Sequence, residues 1–270
     1  YGCYNAAIGK RALYCNTEGD HNTAIGRSAL CANTTGSCSI AIGPYTLCKN
    51  TTGASNNAIG YAALRCNTTG CNNTALGQNT LYSNVSGCHN AAIGAYVLCT
   101  NTTGCNNTGI GYYALCANTT GGSNFAVGPS VLKSNTEGQN NNAMGCGAMQ
   151  SNTTGNWNFA AGYNALNSNT TAGSNIAIGY RPLNSNTVGA CNIALGSNAL
   201  YGSLSGCHNF AAGQSALCSN WGGCYNNAIG TQVLCSNTTG QYNNAIGYIA
   251  LHSNTTGACN NAIGQAALRY

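Results

Sequence analysis

The chain has 270 residues, of which only 4% are charged, and eight Lys and Arg against three Asp and Glu leave a formal net charge of +5. The basic residues are scattered, which argues against nucleic acid, a partner that calls for a basic stripe. No apolar stretch approaches the roughly 20 residues of a membrane-spanning helix, so no membrane insertion is expected. Charge this low often marks low-complexity disorder, but here Ile, Leu and Gly recur at fixed places, which argues for an ordered core.

The sequence is one phrase repeated, cleanest over residues 243–257, N-N-A-I-G-Y-I-A-L-H-S-N-T-T-G. Its glycine recurs every 17 residues from Gly9 to Gly264, sixteen times without insertion or deletion. A fixed period of this size is the signature of a solenoid. With Ala7, Ile8 and Gly9 as positions 1 to 3, position 3 is always Gly and position 7 is Leu except at Met149. Position 1 is Ala except at Gly109, position 10 is Asn except at Ser203, position 13 is Gly except at Ala172, and position 16 is Asn except at Ser39. A 17-residue coil is too short for two helices and a turn, and suits short strands joined at corners. The fold expected is all-β: a single parallel β-solenoid (β-roll) of about sixteen 17-residue coils, with two short strands per coil, filling residues 1–270 as one continuous domain. The strands are expected at about positions 16 to 2 and 5 to 9. Gly at position 3 permits a positive φ at the first corner, and Asn-Thr-Thr-Gly makes the second. At a strand spacing of about 4.8 Å, the coils would give a rod of roughly 75 Å. Neither end supplies the atypical capping repeat of natural solenoids, so a segment of a longer or end-to-end polymerising protein is expected.

Volume suggests which residues point inward. Phe125, Phe159 and Phe210 all stand at position 17, and two residues later Val127, Ala161 and Ala212 replace the usual Ile. Residues i and i+2 share a face of a strand, so positions 17 and 2 are expected to fill one interior volume together with the Leu stack. Position 1 then faces outward. The ladder Ala7, Ala24, Ala41, Ala58, Ala75, Ala92, Ala126, Ala143, Ala160, Ala177, Ala194, Ala211, Ala228, Ala245 and Ala262 becomes a candidate packing face for another chain. The alternative is that Ala only relieves crowding beside the glycine corner. Asn at positions 10 and 16 is expected to stack coil on coil in amide ladders that also satisfy corner backbone groups.

Of eighteen cysteines, seventeen fall at positions 8, 9, 14 or 15, flanking the second corner, and Cys146 is the exception. Joining position 14 or 15 to position 8 or 9 of the next coil gives Cys3–Cys15, Cys38–Cys48, Cys88–Cys99, Cys105–Cys116, Cys207–Cys218 and Cys224–Cys235, to which Cys66–Cys71 can be added. Same-position stacks such as Cys71 over Cys88 are also within bridging distance. Zinc sites want short Cys-x2-4-Cys pairs, and Cys66-x4-Cys71 stands alone, so disulfides and an oxidising, extracellular setting are the favoured reading, with no metal and no cofactor.

Asn-x-Ser/Thr, the N-glycan acceptor, occurs at the second corner at Asn33, Asn50, Asn67, Asn84, Asn101, Asn118, Asn152, Asn169, Asn237 and Asn254, and at position 15 at Asn72 and Asn106. Covalent glycans on some of these are expected, although an Asn engaged in a buried ladder cannot carry one. Thr rows also suggest an ice-binding face, but Val85, Leu204 and Trp221 interrupt position 11. Tyr61, Tyr112, Tyr163, Tyr180 and Tyr248 share position 4, where they either cover a sheet edge or stack on sugars or a neighbouring fibre. Catalysis finds no support, and no enzyme is expected. Glu18, Asp20 and Glu137 are too few for paired carboxylates, and adjacent Cys and His at residues 88–89 and 207–208 would point to opposite faces of a strand.

The Asn-x-Ala-Ile-Gly phrase, with Ala-Leu and Asn-Thr-Thr-Gly following, resembles the repeats of trimeric autotransporter adhesin heads and of phage and algal-virus tail-fibre-like proteins. The resemblance implies a parallel β-roll, often trimeric, that projects a binding surface. The function expected is a disulfide-stapled, glycosylated extracellular fibre protein that self-associates laterally or end to end. The alternative is the shaft or head of an adhesin or tail fibre that binds a cell surface.

Overall fold

The computed structural model describes residues 2–270. Sixteen three-residue strands, β1 (Ala6–Ile8) to β16 (Asn261–Ile263), follow one another in chain order in a parallel sheet. The chain divides into two compact units, one ending at Glu137 and one beginning at Gly138, and each carries eight of these strands. Within each unit the strands pair in strict repeat register. Ala6, Ala7 and Ile8 lie beside Thr23, Ala24 and Ile25, and Phe159, Ala160 and Ala161 lie beside Ile176, Ala177 and Ile178. Every side chain therefore meets its own equivalent from the next coil.

The expected β-solenoid is present, with one strand per coil instead of two. Positions 5 to 9 form turns, because positions 5 and 7 are left-handed: φ is 56° at Ser28 and 49° at Leu30, and 56° at Ala62 and 50° at Leu64. A left-handed non-glycine residue costs roughly 1–2 kcal/mol. Burying a leucine contributes about 1.5–3 kcal/mol, enough to offset that cost. The twist also turns two consecutive residues inward, so that Ala29 and Leu30 are both fully buried, which a strand with one face open to solvent does not allow. The turn backbone still bonds from coil to coil, Leu30 N–H donating to the Thr46 carbonyl at 3.0 Å and Ala32 N–H to Cys48 at 3.1 Å.

The strand is oriented opposite to expectation. Ala24 through Ala262 of the alanine ladder are buried, while Ile25, Ile59, Ile93 and Ile178 at position 2 and Phe125 at position 17 are exposed. Of the candidate packing alanines, Ala7, in the first coil, is exposed. The alanine ladder is thus core and not a packing face. Positions 17 and 2 do share a face, but that face is the outer one. Leu, the residue at position 6, Asn at position 10 and Asn at position 16 already fill the cross-section of so short a coil, and only Ala fits between them.

The two asparagine ladders run through the interior as expected. At position 10, Asn50 Nδ2 donates to Asn33 Oδ1 and to the Gly53 carbonyl, both at 2.8 Å. At position 16, the Asn73 backbone N–H donates to Asn56 Oδ1 at 3.1 Å, and its Nδ2 donates to the Gly87 carbonyl at 2.8 Å. The position-13 carbonyl thus accepts from both ladders, as Gly87 does from Asn73 and Asn84. A Cβ at Gly36 would lie 2.5 Å from the Gly53 carbonyl oxygen and 2.6 Å from Asn33 Oδ1, so this glycine answers to crowding. Gly26, at position 3, is required by its φ of 130°.

The ladder has a fault where the repeat departs from Asn. Ser203 is too short to reach, and both its Oγ and Asn186 Oδ1 are buried without a partner. An unmade buried hydrogen bond costs about 1–3 kcal/mol. Ser203→Asn is expected to raise stability by about that amount, and Asn84→Ala to lower it by as much, measured as shifts of the thermal unfolding midpoint.

Candidate functional site

The most extensive surface feature is the outer face of the sheet. Positions 17 and 2 carry no charged residue in any copy. The exposed columns include Ile59, Ile93 and Ile110 in the first unit and Ile176, Ile178 and Ile229 in the second. Where Phe stands at position 17, Ala or Val stands beside it, so bulk is shared across the strand. Asn227, Asn244 and Asn261 form a third, partly exposed amide ladder on this face, with Nδ2 to Oδ1 distances of 2.7 and 2.9 Å. Each unit's eight strands give a face of about 400 Å² in projection, from a spacing of ~4.8 Å and a rise of ~3.3 Å per residue. Position 17 is Asn or Thr in half of its copies, so the apolar surface that marks this face as a candidate interaction site is the column at position 2, widened where Ile or Phe stands at position 17.

Aromatic columns line the corners. At position 15, His208, Tyr225 and Tyr242 stack with centroids 4.9 and 5.0 Å apart and planes within 1°. At position 4, Tyr163 stacks on Tyr180 at 5.5 Å. His208, Tyr225 and Tyr242 lie outside the expected sites, and the recurrence of aromatic rings at these three residues is the sequence signal for them.

The turn side bears two grooves. One of about 410 Å³ in the first unit is lined by Tyr61, Arg65, Asn79, Tyr82, Tyr96 and Cys99 among others. The other, of about 440 Å³ in the second unit, is lined by Arg181, Asn198, Tyr201, Ser215, Cys218 and Ser219. In each an arginine donates to a tyrosine hydroxyl, Arg65 Nη1 to Tyr82 at 2.8 Å and Arg181 Nη2 to Tyr201 at 2.7 Å. Both guanidinium Nε atoms are buried without a partner. Among the described residues, no group of three His, Cys, Asp or Glu is placed to hold a metal ion.

Cysteines meet at like positions of neighbouring coils. The Sγ–Sγ distances are 3.1 Å for Cys99 and Cys116, 2.7 Å for Cys207 and Cys224, and 2.8 Å for Cys218 and Cys235. Cys71 and Cys88 also stack, with the Cys71 N–H donating to Cys88 Sγ at 3.1 Å, and Cys88 stands likewise on Cys105. The pairs expected between unlike positions, Cys38–Cys48, Cys88–Cys99, Cys105–Cys116, Cys207–Cys218, Cys224–Cys235 and Cys66–Cys71, are not joined, and their cysteines are free thiols, as is Cys15, the expected partner of Cys3. In-register stacking brings each residue onto its own equivalent, while the buried Asn corner separates positions 8 and 9 from 14 and 15.

The glycan sites divide by burial. Asn33, Asn50, Asn67, Asn84, Asn101, Asn118, Asn152, Asn169 and Asn237 are fully buried in the ladder and cannot carry a sugar in this fold. Asn254, half-buried, donates to Asn237 Oδ1 and the Gly257 carbonyl. Asn72 and Asn106 are exposed at a corner. No family model, curated protein or solved structure matches the chain. In a glycosylating host, peptide mapping after deglycosylation is expected to find N-glycans at Asn72 and Asn106 and none at the nine buried asparagines.

Proposed function

We propose that this chain is a building block of an extracellular structural fibre, and that copies associate laterally through the outer sheet face. The observation that carries the reading is the uncharged Ile-rich face at positions 17 and 2, repeated in register by every coil. A second copy suits it better than an unlike partner. Sheets pack face to face at about 10 Å when their surfaces are even, and the exchange of bulk between Phe and Ala or Val keeps this surface even. A face without charge offers no electrostatic register to a charged partner, but it can slide into register with its own repeat. Cysteine density and the exposed sequons at Asn72 and Asn106 favour the extracellular setting. The role is structural and not catalytic: the charged residues are few and the repeat spends its invariant positions on stacking.

The second reading is the shaft of an adhesin or tail fibre, as the resemblance of the Ala-Ile-Gly phrase implies. The stacked aromatic column of His208, Tyr225 and Tyr242 favours it, because exposed rings bind sugars by stacking.

Negative-stain images of the purified chain are expected to show laterally paired or bundled filaments. Ile93→Arg with Ile110→Arg, which places two charges on the face, is expected to disperse them while leaving the circular dichroism spectrum unchanged. Discrete trimers, or bundles indifferent to this pair of substitutions, would count against lateral packing and for the adhesin reading.

A further inference from the structure

The two grooves share one column of chemistry. Along position 8 of the first unit the chain places Arg65, Tyr82, Cys99 and Cys116 on four successive coils. In the second unit Tyr201, Cys218 and Cys235 occupy position 8 of three successive coils, and Arg181 reaches the head of that column from position 5 to bond Tyr201. The order is the same in both: guanidinium, phenol, thiol, thiol. In both, the first thiol lines the groove and touches the second, at 3.1 Å for Cys99–Cys116 and 2.8 Å for Cys218–Cys235.

We propose that Cys99–Cys116 and Cys218–Cys235 are exchange-competent dithiols, which a small carboxylate-bearing disulfide entering the arginine-lined grooves oxidises to inter-coil disulfides. The geometry suits the bond. In-register neighbours at the ~4.8 Å strand spacing fall within the roughly 4.4–6.8 Å that a disulfide spans between Cα atoms. Arg65 lines the first groove and Arg181 the second, so each presents a guanidinium charge to an entering carboxylate. The thiols are also prepared electronically. The hydrogen bond from Cys235 holds Cys218 down at about 6 and pushes Cys235 up in return. The bond from Cys99 holds Cys116 down at about 7, helped by Lys133, and pushes the groove-lining Cys99 up, so in the first unit the thiolate is the second thiol of the column. By contrast Cys48, stacked on Cys31, is raised by burial.

The exchange balances in two steps. One protein thiolate attacks a sulfur of the small disulfide, whose S–S bond breaks and releases one small thiolate. The second protein thiol gives its proton to that thiolate and attacks the mixed disulfide, expelling the other small thiolate. Two protein thiols are oxidised and one small disulfide is reduced to two thiols.

The inference is independent of the fibre reading, since it concerns one chain. The reduced, full chain is incubated with oxidised glutathione at neutral pH, quenched by alkylation at intervals, and mapped by non-reducing peptide mass spectrometry. Cys99–Cys116 and Cys218–Cys235 are expected to appear as bridged peptides, each lacking two hydrogens, about fivefold faster than the isolated Cys146 and Cys259 form glutathione adducts. Arg65→Gln and Arg181→Gln are expected to slow bridging by glutathione disulfide but not by neutral hydroxyethyl disulfide. Cys235→Ser, which preserves shape, is expected to trap Cys218 as a mixed disulfide. Adducts spread evenly over all cysteines, bridges joining unlike positions, or arginine variants that slow both reagents alike would overturn the proposal.

Discussion

The interior amide ladders are the constraint on which the rest of this structure depends. Where the repeat is intact, a position-10 asparagine satisfies its equivalent one coil away and the carbonyl at position 13 of its own coil, as Asn67 does with Asn50 and Gly70. An unsatisfied amide here would cost as much as a leucine contributes, so the ladder fixes both the coil spacing and the register. Register then dictates what stands outside: stacked rings, stacked thiols and an uncharged, Ile-rich face. Ser203 shows the dependence from the other side, because one missing amide leaves two buried oxygen atoms without a donor or acceptor.

The core is therefore unusual in composition. Leucine is its largest regular side chain, and alanine and asparagine supply most of the remainder. Large apolar residues are displaced to the sheet's outer face, where Ile and Phe stand partly exposed. Apolar surface placed outside in a repeating, uncharged column is what makes lateral association of copies the reading best suited to this molecule. The turn side carries the reactive chemistry instead, because left-handed residues there let neighbouring side chains diverge and open grooves.

Much of this was legible in the repeat. The 17-residue spacing implied the solenoid, the invariant glycine the positive-φ corner, and the persistence of Asn16, Asn135 and Asn186 outside any sequon the structural ladders. Phe125 with Val127 correctly implied a shared face. What periodicity could not assign was the side of that face. The assumption of a second strand put Leu alone on the far wall, whereas φ near 50° at Leu30 and Leu64 turns position 6 inward as well and leaves no room for Ile. Leucine gives no compositional hint of a left-handed backbone, so that twist was hidden. The cysteine contacts follow from the register: like positions meet, as at Cys207 and Cys224, and as expected for Cys71 over Cys88.

Side-chain amide hydrogen exchange, followed by NMR, tests the central claim most directly. The Nδ2 protons of Asn50, Asn67, Asn84 and Asn101 are expected to be strongly protected, while those of exposed Asn72 and Asn106 exchange at nearly the rate of a free amide. Equal, rapid exchange at both sets would contradict it, because a ladder open to water could not set the register of the coils.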